Sequence, residues 1–158
     1  QMCIRDSPYT NTLMVLRVTG SVLRRAMERS AEYFAVDEEG RLCVADAFLK
    51  PKVEHYNYDY FSGVNYAFDI SRPEGQRVVE LTYQGEMVKD EDEFTICLNS
   101  YRASGAGGYP EYTQCRVVRE INIEMSDLIL DFFKNTPKVS LKTRRWFTVY
   151  TSHGTGAL

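Results

Sequence analysis

The apolar positions change period several times along the chain, and each change marks an element. Leu13 to Val18 reads LMVLRV, nearly continuous in apolar side chains, which predicts a strand covered on both faces. From Thr19 the spacing lengthens. Leu23, Met27, Ala31 and Phe34 recur at helical intervals, while Arg24, Arg25, Glu28, Arg29 and Glu32 fill the opposite side. That predicts an amphipathic helix, capped by Thr19 or Ser21. Val36 to Asp59 mixes charges with Gly40 and Pro51 around the apolar stretch Leu42 to Leu49, and reads as a long connection holding a short strand or turn.

Three β-branched and aromatic runs follow: Val64 to Ile70, Val78 to Tyr83 and Phe94 to Leu98. Turn chemistry at Arg72 to Gly75 and at Gln84 to Asp92 separates them, which predicts a meander. Gly105, Gly107 and Gly108 mark a flexible loop, and Cys115 to Ile123 predicts another strand. A helix begins at Ser126, with Leu128, Ile129, Phe132 and Phe133 on one face, and stops at Pro137. Trp146 to Tyr150 predicts a last strand, and Ser152 to Leu158 a frayed tail. The expected fold is α/β (α+β), a mixed sheet with helices packed on it.

Composition sets the limits. The chain has 158 residues, 44% apolar and 26% charged, with 11 Tyr, 8 Phe and 1 Trp. This excludes disorder over most of the chain and suits one domain with aromatic walls. Nineteen Lys and Arg against 22 Asp and Glu give a formal charge of −3, without the basic face that duplex nucleic acid or an anionic membrane requires. No apolar run approaches the roughly 20 residues of a membrane helix. Cys3, Cys43, Cys97 and Cys115 form no C-x-x-C pair and read as small buried hydrophobes, although an even count leaves disulfides open.

Catalytic side chains are scarce. His55 and His153 belong to no metal-ligand motif, and no G-x-S-x-G elbow presents a nucleophile. His55 reads as a surface histidine, and YNYD, Tyr56 to Asp59, as aromatics packed beneath the sheet. The run SYRASGAGGYP, Ser100 to Pro110, is neither a P-loop nor a dinucleotide fingerprint. It does follow a strand, opens with Tyr101 and Arg102, and lets the backbone approach a partner closely. Tyr9 stands at the mouth of the first strand, in PYTN. Two tyrosines from separate strand ends can sandwich a flat heterocycle, and Asn11 offers a donor and an acceptor to a base edge. Packing of Tyr101 as an edge residue beside a mobile turn remains open at this point.

PYTNTLMVLRVTGSVLRRAMERS, YNYDYFSGVNYAFDIS, RVVELTYQGEMV and LNSYRASGAGGYP, in this order, resemble the C-terminal domain of the bacterial 5'-nucleotidase and 2',3'-cyclic-nucleotide 2'-phosphodiesterase/3'-nucleotidase family. The resemblance runs from about Pro8 to Lys134. It implies that residues 8–150 are the substrate-binding half of a hydrolase whose N-terminal metallophosphoesterase domain holds two divalent metal ions. This chain then carries no catalytic residue, metal or other cofactor of its own. The resemblance implies that Tyr9 and Tyr101 clasp the nucleobase, with Asn11 on its edge and Arg102, Ser104, Gly105 and Gly107 in the surrounding loop. Gly107 departs from the pattern, because some relatives carry an acidic residue there. Gln1 to Ser7 does not resemble the family and reads as a non-native leader; residues 151–158 read as a tail. The family is periplasmic, secreted or cell-surface, so an extracytoplasmic location is expected. The competing expectation is a noncatalytic ligand or protein interaction module on the same fold.

Overall fold

The computed structural model describes residues 11–136, 138–139, 147–152 and 154–156. The chain divides into two compact units: the described residues of Gln1–Val18 and Glu93–Thr143 form one, and those of Thr19–Asp92 and Arg144–Leu158 the other.

The elements run β1 (Thr12–Thr19), α1 (Gly20–Ala31), β2 (Phe34–Val36), β3 (Leu42–Val44), β4 (Asn65–Asp69), β5 (Val78–Tyr83), β6 (Glu86–Met87), β7 (Glu93–Asn99), α2 (Ser100–Ala103), β8 (Arg116–Glu124), α3 (Met125–Asn135), β9 (Phe147–Thr151) and β10 (Gly154–Gly156).

In the unit starting at Thr19, the strand-to-helix switch turns on one hydroxyl and one missing Cβ. Thr19 Oγ1 accepts from the Val22 amide at 3.4 Å, satisfying one of the donors a helix leaves open at its start. Gly20 follows because a Cβ there would stand 2.0 Å from the Lys89 carbonyl oxygen. Leu23, Ala26, Met27 and Ala31 then bury one face of α1. Phe34, expected on that same helix, instead begins β2, since the chain leaves the helix after Ala31.

α1 is clamped by ionic side chains at its edge. Glu28 accepts from the backbone amides of Arg77 and Val78 at 2.9 and 2.8 Å. Arg77 Nη1 returns bonds to the Ala31 carbonyl at 3.0 Å, an oxygen that the helix end leaves open, and to the Phe34 carbonyl at the start of β2 at 3.1 Å. The sheet of this unit has the order β10-β9-β4-β5-β6. β4 pairs parallel to β9 and antiparallel to β5, so the sheet is mixed as expected. Tyr66 opposes Phe147 across the parallel pair with rings stacked at 5.4 Å.

Several expectations need correction here. The long connection holds a β2–β3 hairpin, closed by Asp37, whose Oδ1 accepts from the Glu39 and Arg41 amides. Of YNYD, Tyr58 packs against Tyr33 and Phe34, but Tyr56 is exposed, because the intervening single turn points alternate rings differently. His55 lies at the surface and shares a hydrogen bond of 2.7 Å with the Tyr33 hydroxyl. Gly154–Gly156 pairs antiparallel with β9, so part of the expected tail is strand.

The other unit has a three-stranded sheet of order β7-β1-β8. The meander therefore ends at β6. The third expected strand, here β7, pairs with β1 instead. Thr12 lies beside Ser100 while Arg17 pairs with Glu93, so β1 and β7 run in opposite directions. β8 is antiparallel to β1, with irregularities after Thr12 and Val15. Among the thiols, Cys43 and Cys115 are half-buried and Cys97 on β7 is exposed, against the expectation of buried side chains.

Candidate functional site

The direction of β7 beside β1 decides what meets what. Because the two strands are antiparallel, the start of β1 and the end of β7 share one end of the sheet, which brings the Asn11 and Tyr101 segments together. Ser100 Oγ accepts from the Thr12 amide at 3.2 Å, a bond across 88 positions of sequence. The Asn11 carbonyl accepts from the Met125 amide at 2.8 Å, so the start of α3 closes on the same corner. The half-buried Asn11 side-chain amide makes no hydrogen bond among the described residues.

Tyr101 sits in α2, a single turn wound directly on the end of β7. Asn99 starts that turn: its side-chain oxygen accepts from the Arg102 amide at 2.7 Å. Ser104 Oγ then donates to the Tyr101 carbonyl at 2.7 Å. These bonds hold the backbone of Tyr101 while the residue stays 44% exposed. An exposed aromatic on an anchored backbone suits stacking, because little conformational freedom is lost when a flat ligand arrives.

The segment expected as a flexible loop is tightly wound. Gly105 donates to the Arg102 carbonyl at 2.9 Å, and Tyr109 donates to the Gly105 carbonyl at 3.2 Å. Gly105 and Gly107 take φ of 83° and 74°, which glycine adopts without the penalty of a side chain. A Cβ on Gly105 would also meet Thr113 Cγ2 at 2.7 Å. These two glycines meet a backbone demand of the turn itself.

Arg102 is 5% exposed. Its guanidinium carbon lies 4.2 Å from the centre of the Tyr109 ring, and its Nη1 donates to the Ala106 carbonyl at 2.6 Å. Tyr9 lies outside the described residues, so of the expected aromatic pair the structure places Tyr101. Ser100 and Tyr109, which link and support the turn, were not singled out in the sequence. The strong N-cap preference of Asn99 was the available signal for the turn. Among the described residues no group of three or more His, Cys, Asp or Glu is placed to hold a metal ion. No helix among them is long and apolar enough to cross a membrane.

A small α/β domain with an anchored aromatic turn at one sheet end is the class that these features define. The family model described as "5'-nucleotidase, C-terminal domain" matches residues 4–114, and the chain belongs to that family. It is 33% identical over 145 residues to a 2',3'-cyclic-nucleotide 2'-phosphodiesterase/3'-nucleotidase of Haemophilus influenzae, covering 81% of this chain and 21% of that protein. It is 27% identical to the trifunctional nucleotide phosphoesterase protein YfkN of Bacillus subtilis, covering 93% of this chain and 11% of that one. A Staphylococcus aureus protein assigned as a 5'-nucleotidase and solved in complex with alpha-ketoglutarate superimposes with a TM-score of 0.85 at 41% identity, covering 93% of this chain and 29% of that one. The chain thus spans between about a tenth and three tenths of these relatives' lengths.

Proposed function

We propose that this chain is the nucleoside-binding domain of a metal-dependent nucleotide phosphohydrolase, either a 2',3'-cyclic-nucleotide 2'-phosphodiesterase/3'-nucleotidase or a 5'-nucleotidase, acting outside the cytoplasm. The observation that carries this reading is the junction of the Asn11 and Tyr101 segments at one sheet end, bridged by the Thr12 to Ser100 hydrogen bond. Tyr101 offers an aromatic face that stacks on any base, and the Asn11 amide offers a donor and an acceptor to a base edge. Tyr9, two residues before Asn11, supplies the second ring. Ser104 holds the Tyr101 backbone, and Gly105 and Gly107 shape the turn around the nucleoside.

Division of labour follows from the family resemblance. Two divalent metals would need several His, Asp and Glu in one place, which the described residues do not supply. As the family resemblance implies, the metals and the hydrolytic step are assigned to a separate metallophosphoesterase domain, and no step of the reaction is derived for this chain. Its contribution is to hold the base so that the phosphate ester is presented in one orientation. The extracytoplasmic location rests on the family resemblance.

The test is a titration of the chain with adenosine, followed by NMR, in wild type and Tyr101→Ala. Loss of one stacking face is worth about 1 to 3 kcal/mol, so affinity falls by roughly ten- to a hundredfold. Equal affinity of the two proteins would remove Tyr101 from the site. Absence of any nucleoside binding would favour the interaction-module alternative.

A further inference from the structure

We infer that Arg102 is a positioning residue for Tyr101, holding the ring-bearing turn from beneath and making no contact with substrate phosphate. This rests on the nucleoside-binding reading above. Arg102 and Tyr101 are neighbours in sequence but opposites in exposure, at 5% and 44%. An arginine waiting for phosphate presents its guanidinium fork to solvent, where two parallel donors can reach one anion. Arg102 turns its fork inward. Its guanidinium carbon is 4.2 Å from the Tyr109 ring centre and 5.7 Å from that of Tyr101, and Nη1 is bonded to the Ala106 carbonyl at 2.6 Å.

A buried cation requires such partners, since an uncompensated charge away from water is strongly unfavourable. Here the ring faces and the carbonyl supply compensation. The foundation is itself rigid: Tyr109 is fully buried and stacks on buried Tyr112, with ring centres 5.9 Å apart and planes 4° from parallel. The line of support runs from Tyr112 through Tyr109 to Arg102. From there the Ala106 bond fixes the glycine turn, and the Asn99 side chain fixes the Arg102 amide. Tyr101 rides on this scaffold, so displacement of Arg102 shifts the ring without removing it.

The experiment compares adenosine with adenosine 3'-monophosphate, titrated by NMR into the 158-residue chain. The variants are Arg102→Met, Arg102→Lys, Tyr101→Ala and the double variant Tyr101→Ala with Arg102→Met, and circular dichroism reports folding. Arg102→Met is expected to weaken both ligands by the same factor, about three- to tenfold, as for a displaced contact. Combined with Tyr101→Ala it should add no further loss, because the ring it positions is gone. Arg102→Lys, which keeps a cation over Tyr109, should recover part of the affinity. A loss confined to the phosphorylated ligand would overturn the inference in favour of a phosphate contact, and so would full additivity or no loss at all. Should Arg102→Met fail to fold, Arg102→Lys carries the same test: equal weakening of both ligands supports positioning, and selective or absent weakening overturns it. Wild type that binds neither ligand would refute the nucleoside-binding reading itself, an outcome distinct from wild type that binds and an Arg102 series that does not respond.

Discussion

Helices α1 and α3 carry the same kind of apolar stripe and meet opposite fates. Leu23, Ala26, Met27 and Ala31 of α1 are buried, while no residue of α3 is, and Phe132 and Phe133 stand 52% and 57% exposed. The difference lies in what each helix finds. α1 lies against β5, joined to it by the Glu28 clamp on the Arg77 and Val78 amides. α3 follows β8, a strand whose Val117, Val118 and Ile123 are themselves exposed. Periodicity names the side of a helix that a partner would cover; it does not supply the partner.

The largest effect expected from this contrast is on stability. Leu23→Ala or Met27→Ala opens a cavity in a closed core and should lower unfolding free energy by about 2 to 5 kcal/mol. Phe133→Ala, on the open stripe of α3, should change it by no more than about 0.5 kcal/mol. Urea unfolding of the chain measures both. Comparable losses would show that α3 is packed in solution and would break the contrast.

A second comparison sets Gly20, in the unit containing α1, against Gly105, in the unit containing α3. Both exclude a Cβ, but the obstacles differ. At Gly20 it is the Lys89 backbone carbonyl at 2.0 Å, and at Gly105 the Thr113 methyl at 2.7 Å. Gly20→Ala should cost about 1 to 3 kcal/mol, with no side-chain change able to relieve it. Gly105→Ala should cost less, about 1 to 2 kcal/mol, part of it from a φ of 83°. Thr113→Ser removes the offending methyl and keeps the hydroxyl bond to the Pro110 carbonyl at 2.7 Å, so it should recover part of that loss. Thermal melts of the two single variants and the double variant check this; rescue of neither, or a milder Gly20→Ala, would count against the geometry.

What the sequence made legible were signals that live within a few residues. The run LMVLRV followed by Thr19 and Gly20 announced β1 and α1, since strand period, cap and helix period are all local. Helical spacing also carried the expectation three residues too far, to Phe34, because side-chain intervals do not register where backbone bonding stops. Pairing was less legible. Phe94 to Leu98 has the composition of a meander strand, and only long-range bonding joins β7 to β1. At the site, Asn11 and Tyr101 could be named from their places at strand ends. The inward turn of Arg102 could not, because it depends on the ring of Tyr109, seven positions on, being buried beneath it.

The smallest effect expected is electrostatic and belongs to the unit containing α1, where Asp37 and Asp69 are held below the usual carboxylate range. For Asp37 the main cause is the hydrogen bond from the Arg41 amide, helped by the Arg41 guanidinium; for Asp69 it is the bond from the Ser71 hydroxyl. A carboxyl whose folded pKa lies below its unfolded value lets the unfolded chain take up the proton first as pH falls. The stabilisation is therefore fully present above the unfolded value, about 4, and is lost as pH drops through the folded value beneath it. Both groups lie near solvent, Asp37 in the β2–β3 turn and Asp69 at the end of β4, so screening keeps the contribution modest. Wild type should melt slightly above the Asp37→Asn and Asp69→Asn double variant at neutral pH, and the two curves should converge as pH falls below the usual carboxylate range. A difference in melting temperature that persists undiminished into acid would mean that the substitutions act through hydrogen-bond geometry that the amide does not reproduce, and not through charge.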